Sequence, residues 1–144
     1  MNLFMVAQAA RTLESQVRGE PLARTRTSTY VLRDDGIIVQ TIVVGGCQTL
    51  EDARENTRAF NRIAGERKRL LLVDMKAAYS TAPGVRDYYA SEEAARCVTA
   101  LAMMAASSTA RIVGNFFLSL SNPGYPCRLF SKREAAIAWL QTQA

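Results

Sequence analysis

Residues 69–96 read RLLLVDMKAAYSTAPGVRDYYASEEAAR, a buried run that passes through a polar loop into a helix. Leu70 to Val73 is an apolar block closed by Asp74, the pattern of an inner strand covered on both faces. Ser80-Thr81-Ala82-Pro83 predicts a helix start, with hydroxyl caps and a proline in the first turn, where its missing N–H costs nothing. That helix is expected from about Ala82 to near Arg96, with Val85, Tyr88, Tyr89 and Ala95 available to pack. In an open α/β sheet, function sits in the crevice beyond the carboxyl end of a strand, so the step from Asp74 to Ser80 is the first place to look.

Upstream, Thr27 to Val44 predicts a hairpin. Thr29 to Leu32 favours an extended chain, Asp35-Gly36 supplies the turn, and IIVQTIVV at 37–44 is mostly β-branched. Thr49 and Asp52 have capping-box spacing, and Leu50, Ala53, Phe60, Ile63 and Ala64 mark one helical face up to a stop at Gly65. Downstream, CVTALAMM at 97–104 suits a buried strand or an extension of the preceding helix. Fresh caps at Ser107-Ser108, before Ile112, Val113, Phe116, Phe117 and Leu120, favour the strand. Asn122 to Pro126 is a turn, Cys127 to Phe130 a short strand, and Ser131 with Glu134 a capping box for a last helix through Trp139 and Leu140. The expected class is α/β in the order β-β-α-β-α-β-α-β-α. Before it, Leu3, Val6, Ala7, Ala10, Leu13 and Val17 share one helical face, and RGEPLARTRT at 18–27 reads as a linker. Residues 1–26 are thus a helical arm and linker, and 27–144 the domain. The arm carries few cations, which favours packing or self-association over membrane binding.

The 144 residues suffice for one domain with a substantial core. With 49% hydrophobic and 22% charged residues the chain is of globular type, and no apolar run approaches the roughly 20 residues that span a bilayer. No basic residue precedes the first apolar patch, so a secretory signal is not expected and the cytoplasm is. Cys47, Cys97 and Cys127 are odd in number and widely spaced, which predicts buried reduced thiols without a metal site. The absence of histidine excludes imidazole bases, imidazole metal ligands and Ser-His or Cys-His nucleophiles. No catalytic residue, metal or cofactor is expected. The net charge of +5 gathers partly on Arg54, Arg58 and Arg62, but Glu51, Asp52 and Glu55 interleave with them. That pattern predicts a solvated face with local ion pairs and no nucleic-acid partner.

The order of elements, with DGIIVQTIV at 35–43, LLLVDMK at 70–76, VRDYY at 85–89, GNFF at 114–117, PCRLF at 126–130 and KREAAIAWL at 132–140, resembles the STAS-like family related to anti-sigma-factor antagonists. The likeness extends over about residues 27–142, and uncharacterised bacterial STAS-like proteins are the nearest in kind. It implies a mixed β-sheet of about five strands with helices packed against it, and a strand at CVTALAMM. In signalling members, a Ser or Thr at the start of the helix after the Asp-ending strand is phosphorylated by a partner kinase, and the unmodified protein binds that partner. The matching positions are Ser80 and Thr81. Where those antagonists carry an Asp-Ser-[Ser/Thr]-Gly type motif, this chain has Tyr79-Ser80-Thr81-Ala82-Pro83-Gly84, without the acidic residue. A phosphate there would meet free N–H donors and a favourable dipole, although the same hydroxyls suit plain helix capping.

Asp74, Lys76 and Arg86 form a second polar group, read as a structural ion pair in preference to a catalytic set, because a lone carboxylate and a guanidinium make no acid/base pair. Asn115 is placed to bond a loop carbonyl. Tyr88, Tyr89, Phe116 and Phe117 are core residues, or line a small apolar pocket. The expected function is a non-enzymatic regulatory or protein-interaction domain, with a kinase-like protein or a sigma-factor regulator as partner. The alternative is a small-molecule or lipid-binding module. An enzyme built on Asp74 and Cys97 ranks last. No membrane partner is expected, and a homodimer through an exposed strand or the arm stays open.

Overall fold

The computed structural model of the chain describes residues 21–77, 79–105, 107–108, 111–112 and 124–144, with Tyr79 as backbone alone. Its strands are β1 (Ala23–Arg24), β2 (Ser28–Leu32), β3 (Ile38–Ile42), β4 (Gly46–Gln48), β5 (Arg69–Met75), β6 (Tyr79–Thr81), β7 (Val98–Met104) and β8 (Cys127–Phe130). Its helices are α1 (Leu50–Ala64), α2 (Val85–Tyr89), α3 (Glu92–Ala95) and α4 (Arg133–Thr142). Six strands form one sheet in the order β1-β2-β3-β5-β7-β8, and β4 pairs with β6 in a small second sheet. The first three strands run antiparallel, whereas β3, β5, β7 and β8 are parallel.

The apolar block at Leu70 becomes the inner strand β5, and alternation along it supplies both faces. Leu71, Val73 and Met75 join Phe60 and Ala64 of α1 in one core cluster, while Leu70 and Leu72 join Ala136 and Leu140 of α4 in the other. Leu72 is fully buried, and burying such a side chain contributes about 1.5–3 kcal/mol. The hairpin closes at Gly36, whose φ of 85° is open to glycine, with the Gly36 N–H donating to the Arg33 carbonyl at 3.0 Å. The capping box forms as well. Asp52 N–H donates to Thr49 Oγ1 at 3.1 Å, and Thr49 N–H donates to Asp52 Oδ2 at 2.8 Å. All of CVTALAMM after Cys97 is strand β7, between β5 and β8.

Four details differ from expectation. The main sheet has six strands where about five were expected, partly because Ala23–Arg24, inside the presumed linker, pairs with Thr29 and Tyr30 at the sheet edge. The helix expected over 82–96 is two short ones that begin at Val85 and Glu92. Pro83 disfavours helical backbone at Ala82, so the first cannot start there, and Gly84 at φ 85° occupies its cap without a side-chain bond. Ser131 is not the cap of α4: the N-cap is Lys132, without a side-chain cap bond, and the helix begins at Arg133. Cys47 is exposed, although Cys97 is buried as expected and Cys127 is half-buried, its thiol raised to about 12 by desolvation. Of the helix expected after Ser107, the described part is helical at Ser108, Arg111 and Ile112. The arm positions 1–20 lie outside the described residues, as do Asn115, Phe116 and Phe117.

Candidate functional site

The carboxyl ends of β3 and β5 do not finish at Ile42 and Met75. Partners in the β3–β5 ladder are 33 residues apart, as in Ile38 with Leu71, and the same spacing returns in β4–β6, where Gly46 meets Tyr79 and Cys47 meets Ser80. A bond from the Ala77 N–H to the Ile42 carbonyl, 3.2 Å, sits in the gap between the two ladders. The small sheet is therefore a continuation of the central parallel pair after a short interruption. This puts Ser80 and Thr81 in a strand, not at a helix start. Ser80 is exposed and Thr81 half-buried. On the neighbouring strand, Arg26 Nη2 donates to the Cys47 carbonyl at 3.3 Å. The same guanidinium grips Asp52 through Nε at 2.6 Å and Nη2 at 2.5 Å. That fork, with the Thr49 N–H, holds the Asp52 carboxyl well below its ordinary pKa against the opposing effect of burial.

Asp74 stands on the other face, near the start of α4. Among the described residues its ion partner is Arg133, with Nη1 3.7 Å from Oδ2, so the expected link to Arg86 does not form. Burial pushes the Asp74 carboxyl above its ordinary range, and Lys76 and Arg133 offset only part of that. The three residues Asp74, Lys76 and Arg86 are not one constellation. Arg58 pairs with Glu51 at 2.9 Å, which satisfies one arginine of the stripe locally.

Between α1 and the sheet lies a cavity of about 60 Å³. Part of its lining is apolar, from Ile42, Phe60, Leu71, Val73, Leu101 and Met103. Gln40, Gln48, Asn56, Thr57 and Tyr89 contribute polar groups to the same lining. Most of these polar groups are engaged. Asn56 Nδ2 donates to Thr27 Oγ1 at 3.1 Å and to Tyr89 Oη at 3.4 Å, Thr25 Oγ1 donates to Asn56 Oδ1 at 2.6 Å, and Gln40 Nε2 donates to Ser28 Oγ at 3.0 Å. Tyr30 Oη donates to the Asn56 carbonyl at 3.2 Å, and burial raises the Tyr30 pKa well above 10, so the phenol stays neutral. Gln48 differs. It is 3% exposed, and its Oε1 is buried with no hydrogen-bond partner among the described residues.

Of the aromatics expected to line a pocket, Tyr89 does so; Tyr88 packs beside it with ring centroids 6.0 Å apart. The polar part of the lining went unread in the sequence. Gln40 carried a signal, as the one amide inside a β-branched run, and Asn56-Thr57 shared the α1 face with Ala53 and Phe60. Gln48 carried none. Among the described residues, no group of three or more His, Cys, Asp or Glu side chains is close enough to hold a metal ion. None of the described helices is long and apolar enough to cross a membrane.

Residues 30–144 match the model of a family described as a domain of unknown function, DUF7793. No curated protein matches. Among solved structures, the chain is similar to an uncharacterised protein of the DUF3478 family with a SpoIIAA-like fold from Shewanella loihica PV-4. The two are 12% identical, with 83% of this chain and 98% of that one covered and a TM-score of 0.56. A protein with unknown function from Arthrobacter sp. FB24 is 26% identical over 78% of this chain and 97% of that one, with a TM-score of 0.31. The Shewanella likeness shows the fold: it is SpoIIAA-like, in agreement with the STAS-like resemblance of the sequence.

Proposed function

The chain belongs to the DUF7793 family on a SpoIIAA-like fold, and from that premise we propose that it is a non-enzymatic regulatory or protein-interaction domain of STAS-like type, switched by phosphorylation at Ser80. The observation that carries the reading is the position of Ser80. It is exposed on β6, directly beyond the carboxyl end of β5, on backbone held in ladder with β4. A hydroxyl so held can be modified without unfolding anything, and a phosphate there adds a charge of about −1.5 to −2 to a defined surface. The physical basis is not a helix dipole, because α2 begins beyond Gly84 and is only five residues long. The cation bonded to the paired strand is Arg26, through the Cys47 carbonyl, and its charge is shared with Asp52. The lack of histidine supports a role without imidazole chemistry.

The partner this surface suits is a kinase-like protein or a sigma-factor regulator that binds the unmodified domain. In a pull-down from an extract of the source cell, Ser80→Ala should retain that protein and Ser80→Asp should lose it. Intact-mass and peptide analysis after incubation with extract and ATP should find one phosphate on Ser80 or Thr81. Identical retention by both variants, with no phosphate found, rejects the switch.

A further inference from the structure

We infer that the cavity between α1 and the sheet binds a neutral small molecule of about four to six heavy atoms carrying one O–H or N–H donor, which Gln48 Oε1 accepts. This inference is independent of the role of Ser80.

Three observations converge on that chemistry. The first is the unmade bond: an amide oxygen on a residue 3% exposed is costly to leave without a donor. Asn56 Nδ2 donates to Thr27 and Tyr89, and Gln40 Nε2 donates to Ser28, and neither reaches Gln48 Oε1. The second is charge. None of the residues lining the cavity carries one, and a charged ligand would lose its hydration without compensation. The third is size and shape. The 60 Å³ exceeds the space of a single water several times over, at about 10–15 Å³ each, and falls short of the 150 Å³ cavity that takes benzene. With Phe60 and Leu101 in the same lining, a branched alcohol or a small amide satisfies Gln48 while burying its alkyl part against carbon.

The test uses the full chain, ¹⁵N-labelled, with isobutanol as the donor-bearing probe and xenon as the apolar one. Isobutanol should give saturable shifts confined to residues that line the cavity, Gln48, Asn56, Phe60 and Leu101 among them. Gln48→Leu keeps the bulk but cannot accept, so it should weaken isobutanol binding by about fivefold or more and leave xenon affinity unchanged. In the unaltered chain the Gln48 side-chain amide resonance should move with isobutanol and stay still with xenon, a readout that does not depend on the variant folding. Scattered or unsaturable shifts, an unmoved Gln48 resonance, or equal isobutanol affinity in Gln48→Leu would each overturn the inference, and a cavity that keeps only water is the result they would describe.

Discussion

Asp52 and Asp74 are carboxylates of nearly equal exposure, 4% and 6%, and their surroundings drive them in opposite directions. The Arg26 fork and the Thr49 N–H outweigh desolvation at Asp52, whereas Arg133 at 3.7 Å is too loose to do so at Asp74. The linkage signs follow. Asp52 is depressed in the folded state, so its contribution is present above the ordinary carboxylate pKa of about 3.9 and is lost as pH falls through the lower folded value. Asp52→Asn should therefore lower the urea midpoint at pH 7, and its deficit should shrink on acidification. Asp74 is raised, so the folded state holds its proton longer, and stability falls as pH climbs from about 3.9 through the higher folded value. Asp74→Asn should be more stable than the unaltered chain at pH 7, with the difference vanishing in acid. A urea titration series across pH checks both, and a stability gain for Asp52→Asn at pH 7 would contradict the capping-box account.

The elements divide according to how local their signals are. At α1 the cap, the acidic first turn and the Gly65 stop, with φ 66°, lie within a few residues of the backbone groups they satisfy, and each formed as the sequence indicates. Thr49→Ala should cost about 1 kcal/mol, seen as a fall in Tm of roughly 2–4 °C. The cap-like hydroxyls at Ser80 and Ser131 had the same local look and failed. Ser80 was claimed by pairing with β4, whose residues precede it by more than 30 positions, and Pro83 held the helix off until Val85. At Ser131 the helix starts one residue later, and nothing in the sequence marks that shift. The strand choice for CVTALAMM succeeded because seven consecutive residues could be accommodated between β5 and β8, with five of them buried.

At the scale of the molecule, β5 is the shared wall of both cores. Leu72→Ala should cost about 2–5 kcal/mol, because the void it leaves lies beneath α4 and cannot fill with solvent. Amide exchange should be slowest along β5, flanked on both sides by β3 and β7, and much faster in the three-residue β4 and β6, which pair only with each other. Exchange at β6 as slow as at Leu72 would contradict the view of β4–β6 as a short ladder that opens separately from the main sheet. The central strand, the hairpin turn, the α1 box and the terminal helix were all legible in the chain, since hydrophobic period and cap chemistry act over a few residues and leave a local mark. Tertiary structure alone decided that the β3–β5 ladder resumes at β4–β6, that Asp74 faces Arg133, and that the Gln48 oxygen is left without a donor beside a cavity. Those outcomes depend on which distant segments come into register, and a pairing across 33 or more residues leaves no pattern within either partner.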